Sequence, residues 1–286
     1  MKQDARESIT NKIIQSLERG EIPWDCPFDK QIMPVNYKTK KEYRGMNLVM
    51  LWLEARFMGY TGNHWIGFKQ ANELGGKVKK GQHGTPIIVC CPFKKEVKNK
   101  HTGEDEEVKG NYFKVEHVFN LYSQIEGIEF EESEPTYKPL EEFDSLIERV
   151  GINVRNSGER AYYSTADDFI NMPFFSKFKT QEDYYATLAH ESVHYTMTAD
   201  RCSRTVKDDE ERALEELTAE LGAAFLCAEF GIKTNLDNNA GYIQSWLKAL
   251  KDDTNYIFKA SKQASEAVNF LLSHQGSNAV TEEAAA

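Results

Sequence analysis

The sequence lacks any run of about 18 apolar residues, the length that a helix needs to cross a bilayer, so it predicts no membrane span and no membrane partner. Charged residues recur through Met1–Ser8, where a secretory signal would have its apolar core. Cysteine is scarce: the five cysteines are an odd number and show no CxxC spacing, which predicts reduced, mostly structural thiols. Together these absences favour a cytoplasmic protein without a disulfide framework.

The charges are distributed unevenly along the 286 residues, a length that suits two domains. Residues 1–120 carry 20 Lys and Arg against 15 Asp and Glu, whereas residues 121–286 carry 15 against 30. Within residues 36–100 the counts are 13 and 4. A basic block in a protein of net charge −10 predicts an anionic partner for that block, although an ordinary solvated face would carry the same charges.

Apolar periodicity and turn residues divide the chain into two parts. The stretch Glu126–Glu142 is acidic and contains Pro135 and Pro139, which is typical of a linker. A small sheet is predicted after it, from strand-like segments at Ile152–Val154, Ala161–Ser164 and Phe169–Met172, followed by helices. We therefore predict an α+β fold with an N-terminal α+β domain at 1–125, an acidic linker at 126–140, a mostly helical domain with a small sheet at 141–274, and a disordered tail at 275–286.

Within the N-terminal part, local signals predict a helix and a hairpin. Asn47 is expected to cap a helix over Leu48–Met58, which Gly59 ends. The apolar run Pro86–Cys91 predicts a buried strand, and the polar residues 99–110 predict the tip of a hairpin.

The most specific motif is a HExxH run, His190-Glu191-Ser192-Val193-His194. Two imidazoles four positions apart lie on one helical face, about 6 Å apart along the axis, and reach one tetrahedral metal ion. Glu191 then serves as the general base that takes a proton from metal-bound water. Chance coincidence is the alternative, but Leu188 and Val193 continue an apolar stripe that predicts a helix with a core-facing side.

A zinc hydrolase of this kind also needs a third protein ligand. The helical stretch Leu214–Phe225 offers Glu216 and Glu220 on a stripe of small apolar residues, where an unpaired charge is costly to bury. We predict Glu216 as the third ligand and Glu220 as the acceptor that orients a ligand histidine. Glu215 is the weaker alternative for the ligand, and two solvated surface acids are the alternative to both roles.

The predicted ligand set, His190, His194 and Glu216, favours Zn²⁺, although two imidazoles and a carboxylate bind other divalent ions as well. Peptide hydrolysis is the reaction that this constellation predicts. A donor for the developing oxyanion is also required, and Tyr242 is the candidate that we retain. Tyr184, Arg201 and Arg204 stay open as alternatives.

Aromatic and basic residues alternate in the N-terminal block, a mixture that single-stranded nucleic acid binding needs because bases stack on rings while Lys and Arg neutralise phosphates. Trp65 follows the polar loop Thr61–His64 and is the preferred stacking residue. Trp52 shares a helical stripe with Leu48 and Leu51, so we expect it in the core.

Several motifs make the sequence resemble a known family. The segments Tyr43–Asn47, Trp65–Ala71, Gly75–Gly81 and Val118–Asn120 are similar to the N-terminal domain of ArdC-type antirestriction proteins. The segments Tyr184–His194, Glu215–Cys227 and Tyr242–Leu247 are similar to the zincin-like C-terminal domain of the same family. The resemblance extends from about residue 5 to residue 272.

The resemblance implies a protein of conjugative plasmids or other mobile elements that protects incoming DNA from host restriction. It implies a single-stranded-DNA-binding domain joined to a metallopeptidase-like domain, with a host restriction or DNA-processing protein as the peptidase substrate. With the basic block, it predicts DNA contacts at Tyr43, Arg44, Asn47, Trp65, Phe68, Lys69, Gln70, Lys77, Lys79 and Lys80.

Three functions are compatible with these observations. A DNA-tethered metallopeptidase would cut a host protein that meets the entering strand. A single-strand coat would use its metal site only for structural support. An acidic DNA mimic would occupy a restriction enzyme directly, a reading that the −15 balance of residues 121–286 favours weakly.

Overall fold

The first helix, α1 (Ala5–Glu18), contains the point at which the chain passes from one structural unit to another. The computed structural model describes residues 5–27, 32–98, 105–129, 140–234 and 240–274. The first unit consists of Met1–Ile9 and Pro34–Glu132, and the second of Thr10–Met33 and Ser133–Ala286. Both units combine helices with small sheets, which confirms the predicted α+β class.

The segment Thr10–Met33 belongs to the second unit, whereas the sequence places it in the first domain. Its buried Trp24 packs edge-on against Trp246, with ring centroids 5.6 Å apart. Thr10 donates a hydrogen bond to the carbonyl oxygen of Thr254 at 2.9 Å. These contacts join residues more than 200 positions apart, so chain order and local composition do not report them.

The other predicted domain boundaries stay predictions. The linker at 126–140 falls largely on residues 130–139, and the tail at 275–286 falls entirely on residues outside the described ranges. Among the described residues, none of the helices combines the length and the apolar content that crossing a membrane requires.

The first unit is built on a four-stranded sheet with two short strands beside it. The elements of the unit in chain order are β1 (Val35–Asn36), α2 (Met46–Met58), β2 (His64–Gly67), α3 (Phe68–Glu73), β3 (Lys77–Val78), β4 (Thr85–Lys98), β5 (Asp105–Asn120), α4 (Leu121–Gln124) and β6 (Ile125–Glu126). The large sheet has the order β1-β2-β5-β4. Strands β3 and β6 pair with each other.

Strands β4 and β5 form a long antiparallel hairpin in register from Thr85↔Val118 to Lys98↔Asp105. The predicted hairpin is therefore present, with strands that extend into residues expected at the tip. The prediction that Pro86–Cys91 is buried was wrong for most of the run: Ile87 is buried, but Cys90 is exposed. The β4 strand lies at the sheet edge, and only its beginning packs into the core of the unit.

Helix α2 begins at Met46, two residues earlier than predicted. Its N-cap is Gly45, whose positive φ of 58° suits a residue without a Cβ. Asn47 lies inside the first turn, where its side chain both donates to and accepts from the backbone of Ile88 at 2.8 Å. Asn47 therefore joins α2 to β4 instead of capping the helix. Gly59 ends the helix in the left-handed conformation, as predicted.

The second unit is mainly helical and carries one small sheet. Its elements from residue 140 onward are α5 (Leu140–Val150), β7 (Val154–Asn156), β8 (Tyr162–Ser164), β9 (Phe169–Met172), a 3₁₀ turn (Phe175–Lys177), α6 (Gln181–Tyr195), α7 (Asp209–Phe230), α8 (Ala240–Asp252) and α9 (Tyr256–Ser273). The sheet order is β7-β9-β8, so β8 is an edge strand. These strands overlap the three segments that the sequence predicts.

Helices α6 and α7 approach each other closely at Gly222. A Cβ atom built on Gly222 would lie 2.6 Å from Cγ2 of Val193, a fully buried side chain of α6. Val193 also packs in a core cluster with Ala219 and Ala267. Small residues at this crossing bring the polar side chains of the two helices within bonding distance of each other.

Candidate metal centre

Helices α6 and α7 bring three sequence-predicted ligands together. The Nε2 atoms of His190 and His194 lie 3.1 Å apart. Oε2 of Glu216 lies 3.6 Å from the first of these nitrogens and 3.8 Å from the second. Within the described residues, this metal-site cluster is the one group of three or more His, Cys, Asp or Glu side chains with ligand atoms close enough for an ion.

The distances within the metal-site cluster fit a tetrahedral ion. Bonds of about 2.0–2.1 Å to Zn²⁺ place neighbouring ligand atoms about 3.3 Å apart. The observed separations of 3.1 to 3.8 Å bracket that value. Two imidazole nitrogens and one carboxylate oxygen suit Zn²⁺ and several other divalent ions, and they leave a coordination position for water or substrate.

Each histidine is oriented by a different carboxylate of α7. Nδ1 of His190 lies 3.2 Å from Oε1 of Glu220, which is the contact that the sequence assigned to Glu220. Nδ1 of His194 lies 3.0 Å from Oε1 of Glu215. A carboxylate on Nδ1 fixes the tautomer that directs the Nε2 lone pair at a metal. The sequence analysis considered Glu215 only as a ligand. Local spacing along α7 does not show which residue of α6 lies next to Glu215.

Arg204 supports this arrangement from behind Glu215. Its Nε and Nη2 atoms donate to the two Glu215 oxygens at 2.8 and 2.9 Å. The remaining donors reach the carbonyl oxygen of Val193 at 2.8 Å and the hydroxyl of Thr196 at 2.9 Å. Arg204 is buried and its donors are occupied, so it does not fit the oxyanion role that the sequence left open.

The other three oxyanion candidates lie in different surroundings. Arg201 stacks on the ring of Tyr195 and pairs with Asp168 at 2.6 Å. Tyr184 packs against the rings of Phe175 and Phe178. Of the three, Tyr242 is the one whose hydroxyl interacts with Glu216 of the metal-site cluster. Burial, and then the charge of Glu216, raises the pKa of the Tyr242 hydroxyl above its usual value.

The carboxylates of α7 stabilise positive charge in the metal-site cluster. Burial alone would lower the pKa of His190, but its hydrogen bonds to Glu216 and Glu220 outweigh burial and hold that pKa well above its usual value. For Glu216, burial would raise the pKa, and the bonds to both histidines instead hold it below the usual range. Cations at this position, whether protons or a divalent ion, are therefore stabilised.

A cleft of about 930 Å³ opens beside the metal-site cluster. Its walls come from the edge strand β8, from the loop after α6 and from the start of α7, and they include His190, Glu191 and His194. Glu191 is 8% exposed and reaches the cleft next to both histidines. The cleft volume is in the range of sites that enclose a ligand of drug size, and therefore a short peptide segment.

In the first unit, four of the predicted DNA-binding residues line one groove of about 790 Å³: Tyr43, Phe68, Lys69 and Gln70. The ring of Phe68 is 55% exposed. Asn36 donates to the Tyr43 hydroxyl at 2.8 Å and to Oε1 of Gln70 at 3.1 Å, which fixes both side chains on the groove floor. An exposed ring beside Lys69 is the combination that base stacking and phosphate contact require.

The remaining predicted DNA contacts do not share that groove. Trp65 is 1% exposed and packs edge-on against Tyr60, so its ring is not available to stack on a base. Arg44 pairs with Glu42, and Nζ of Lys79 donates to the carbonyl oxygen of Ser123. Asn47 bonds the backbone of Ile88, whereas Lys77 and Lys80 are exposed. The predicted set therefore divides into groove residues, structural residues and separate surface cations.

Comparisons with known families and structures cover both halves of the chain. Residues 3–119 match the N-terminal domain of anti-restriction factor ArdC, and residues 141–263 match a family of zincin-like metallopeptidases. The metal-free crystal structure of the antirestriction ArdC protein from the R388 plasmid is 37% identical, with a TM-score of 0.79 over 95% of this chain and 98% of that one. The Mn(II)-bound structure of that protein matches with 36% identity and a TM-score of 0.78.

Two curated relatives differ greatly in length. The uncharacterized protein y4eC of Sinorhizobium fredii is 29% identical over 95% of this chain and 92% of its own length. A DNA primase TraC of Escherichia coli is 30% identical over 96% of this chain, which spans 28% of the primase. The metal-site cluster lies within the zincin-like match, and the groove lies within the N-terminal match.

Proposed function

Because the chain belongs to the family of ArdC antirestriction proteins, with an ArdC N-terminal domain and a zincin-like metallopeptidase domain, we propose that it binds single-stranded DNA and hydrolyses peptides at a divalent metal site. Protection of an incoming mobile element from restriction is the biological role that this combination serves. The observation that carries the proposal is the convergence of His190, His194 and Glu216 beside Glu191 in an open cleft.

His190, His194 and Glu216 would hold the ion, with Glu220 and Glu215 orienting the two rings. When bound, a divalent ion polarises a peptide carbonyl and lowers the pKa of water enough to generate a nucleophile near neutral pH. We propose Zn²⁺ as the ion. Because the R388 protein has a Mn(II)-bound structure, Mn²⁺ is the second ion to test at this site.

Glu191 is the general base of the proposed reaction. Its carboxylate reaches the cleft between the two histidines of α6, where it accepts a proton from the attacking water. It then transfers that proton to the leaving amine. The Tyr242 hydroxyl is the proposed donor to the oxyanion, since it interacts electrostatically with Glu216 of the metal-site cluster.

Single-stranded DNA is the proposed ligand of the groove in the first unit. Phe68 offers an exposed ring for stacking, and Lys69 and Lys41 lie on the groove wall where phosphates would pass. Tyr43 and Gln70 supply polar contacts from the floor. The basic balance of residues 36–100 adds the long-range attraction that such a ligand needs.

The decisive experiment separates proteolysis from coating with Glu191→Gln. We expect this variant to retain the metal and to lose peptide hydrolysis by a factor of about 10² or more, because the general base is removed while the ligands stay. Glu182→Gln on the same helix is the control. Unchanged hydrolysis would refute the general-base role.

Protection from restriction in cells is measured with the same two variants. Loss of protection in Glu191→Gln supports a DNA-tethered peptidase. Protection that survives in this variant, together with unchanged single-strand binding, would mean that the protein acts as a coat and that its metal site is structural.

A further inference from the structure

Arg212 lies on the first turns of α7 and lines the cleft together with His190 and Glu191. It is exposed, and among the described residues its guanidinium has no hydrogen-bond or ion-pair partner. The neighbouring arginines differ in this respect. Arg204 is bonded to Glu215, and Arg201 is paired with Asp168. One arginine of the cleft therefore has its donors available to a ligand.

A second cation lies on the same wall. Lys207 also lines the cleft, and its exposed ammonium group likewise has no partner within the described part of the chain. Only its backbone N–H is engaged, with Glu211 at 2.8 Å. Lys207 and Arg212 therefore present two free positive groups to the same space, on either side of the beginning of α7.

The acidic residues of this region face elsewhere. Asp208, Asp209, Glu210 and Glu211 line a different cavity, of about 700 Å³, which they share with α8 and the start of α9. The four acidic residues at the start of α7 therefore line one cavity, whereas Lys207 and Arg212 line the cleft. Of the charged residues from 207 to 212, only Lys207 and Arg212 line the cleft.

A guanidinium group binds a planar carboxylate through two parallel, charge-assisted hydrogen bonds. We propose that Arg212, assisted by Lys207, is a subsite for a carboxylate of the substrate peptide, either an Asp or Glu side chain or a free C-terminus. This inference rests on the proposed peptidase function of the same cleft, and it adds a preference for substrates that carry a carboxylate. Arg212 contacts the substrate away from the bond that is cut.

A peptide carboxylate suits the cleft better than a DNA phosphate chain. Glu191, Glu215 and Glu216 also line the cleft, and Arg204 compensates only Glu215. A polyanion that fills the cleft would place further phosphates beside these carboxylates, where like charges repel. A single carboxylate directed at Arg212 avoids that repulsion.

The test measures binding as well as turnover. The probes are fluorescein-labelled heptapeptides of alanine in which one Glu occupies each position in turn, with matched Gln peptides. Both series are made with free and with amidated C-termini, which distinguishes a side-chain carboxylate from a terminal one. Affinities are measured by anisotropy on zinc-loaded Glu191→Gln protein, which keeps the peptides intact.

We expect at least one Glu peptide, or the free C-terminus, to bind about tenfold more tightly than its neutral counterpart, the size of one charge-assisted hydrogen bond. Arg212→Gln should remove that preference, Arg212→Lys should retain part of it, and Lys207→Gln should reduce it. Arg149→Gln, on an exposed site of α5 outside the cleft, is the matched control and should change nothing. Metal content should be equal in all variants.

The proposed carboxylate subsite would be refuted if each Glu peptide bound as tightly as its Gln counterpart, and each free C-terminus as tightly as its amide. It would also be overturned if oligo-dT displaced the peptides from the cleft in a manner that depends on Arg212, because the ligand would then be a phosphate. Failure of the proposed peptidase function would give a different result. The wild-type protein would then cleave no peptide, while the Arg212-dependent preference in binding persisted.

Discussion

The Nδ1 atom of His194 lies 3.0 Å from Oε1 of Glu215, whose two oxygens also accept hydrogen bonds from Arg204. A buried arginine, a carboxylate and a metal-facing imidazole thus form one continuous chain of charge-assisted contacts. The orientation of the His194 ring is therefore set by a residue that does not itself face the ion.

Glu215→Ala should weaken metal binding by about 10–100-fold, because the His194 ring loses the acceptor that fixes its tautomer. It should also destabilise the fold by about 3–5 kcal/mol, since Arg204 is left buried without its partner. Glu215→Gln keeps an acceptor and should be less damaging in both respects. Metal titration and thermal unfolding measure the two effects, and wild-type affinity in the alanine variant would contradict the assignment.

Gly222→Ala should destabilise the second unit by about 1–3 kcal/mol, because the new methyl group would lie 2.6 Å from a methyl of Val193. Separating α6 from α7 there should also weaken metal binding, since the histidines lie on one helix and the glutamates on the other. Val193→Ala makes room for the methyl group. The double variant should therefore be less destabilised than the sum of the two single variants by about 0.5 kcal/mol or more. Additive effects would show that the two residues are not in steric conflict.

Phe68→Ala should reduce affinity for single-stranded DNA by the value of one stacked base, about 1–3 kcal/mol. Lys69→Gln should lower the slope of log affinity against log salt by about 0.7, which corresponds to one lost phosphate contact. Leu74→Ala and Lys179→Gln, at exposed positions outside the groove, are the matched controls. If the control variants lost more affinity for single-stranded DNA than the groove variants, the DNA-binding surface would lie outside the groove.

Trp65→Ala should act through stability instead of direct DNA contact. The ring is fully buried, and removal of a buried tryptophan costs about 3–5 kcal/mol. Under conditions where the variant is still folded, its affinity for oligo-dT should equal that of the wild type. A selective loss of DNA binding with unchanged unfolding temperature would return Trp65 to the binding surface.

Metal addition should stabilise the protein, because the ligand set is assembled only in the folded chain. At a free Zn²⁺ concentration 100 times the Kd, the free energy of unfolding should rise by about 2.7 kcal/mol, and a chelator should reverse the gain. His190→Ala should abolish this response. The same titration with Mn²⁺ compares the two ions, and an equal response in His190→Ala would place the metal elsewhere.

Local patterns were sufficient wherever the physical constraint is local. The 3.6-residue period predicts the α6 helix, and HExxH on that helix places two imidazoles on one face. The short strands of the second unit could be located within a residue or two, since they are bounded by turn residues. For Glu216 and Glu220, small buried neighbours on one stripe indicated carboxylates that need a partner, and the structure brings both to the histidines.

The misjudged residues depend on contacts between distant segments. Trp65 follows a polar loop, but its strand lies between two others and buries the ring. Asn47 has the composition of a helix cap, but β4 supplies a better partner at Ile88. Residues 10–33 follow the N-terminal start of the chain and nevertheless pack with helices more than 200 residues away.

By itself, the sequence determined the α+β class, the two-part organisation, the helix that carries His190 and His194, and the kind of metal that these ligands favour. Periodicity and residue chemistry are properties of short segments, so they can be read without a fold. The tertiary structure alone decided that Glu215 orients His194, that Arg204 is committed to Glu215 and that Arg212 is left free in the cleft. Those outcomes depend on which side chains the tertiary structure brings within hydrogen-bonding distance, because a hydrogen bond needs its donor and acceptor about 3 Å apart.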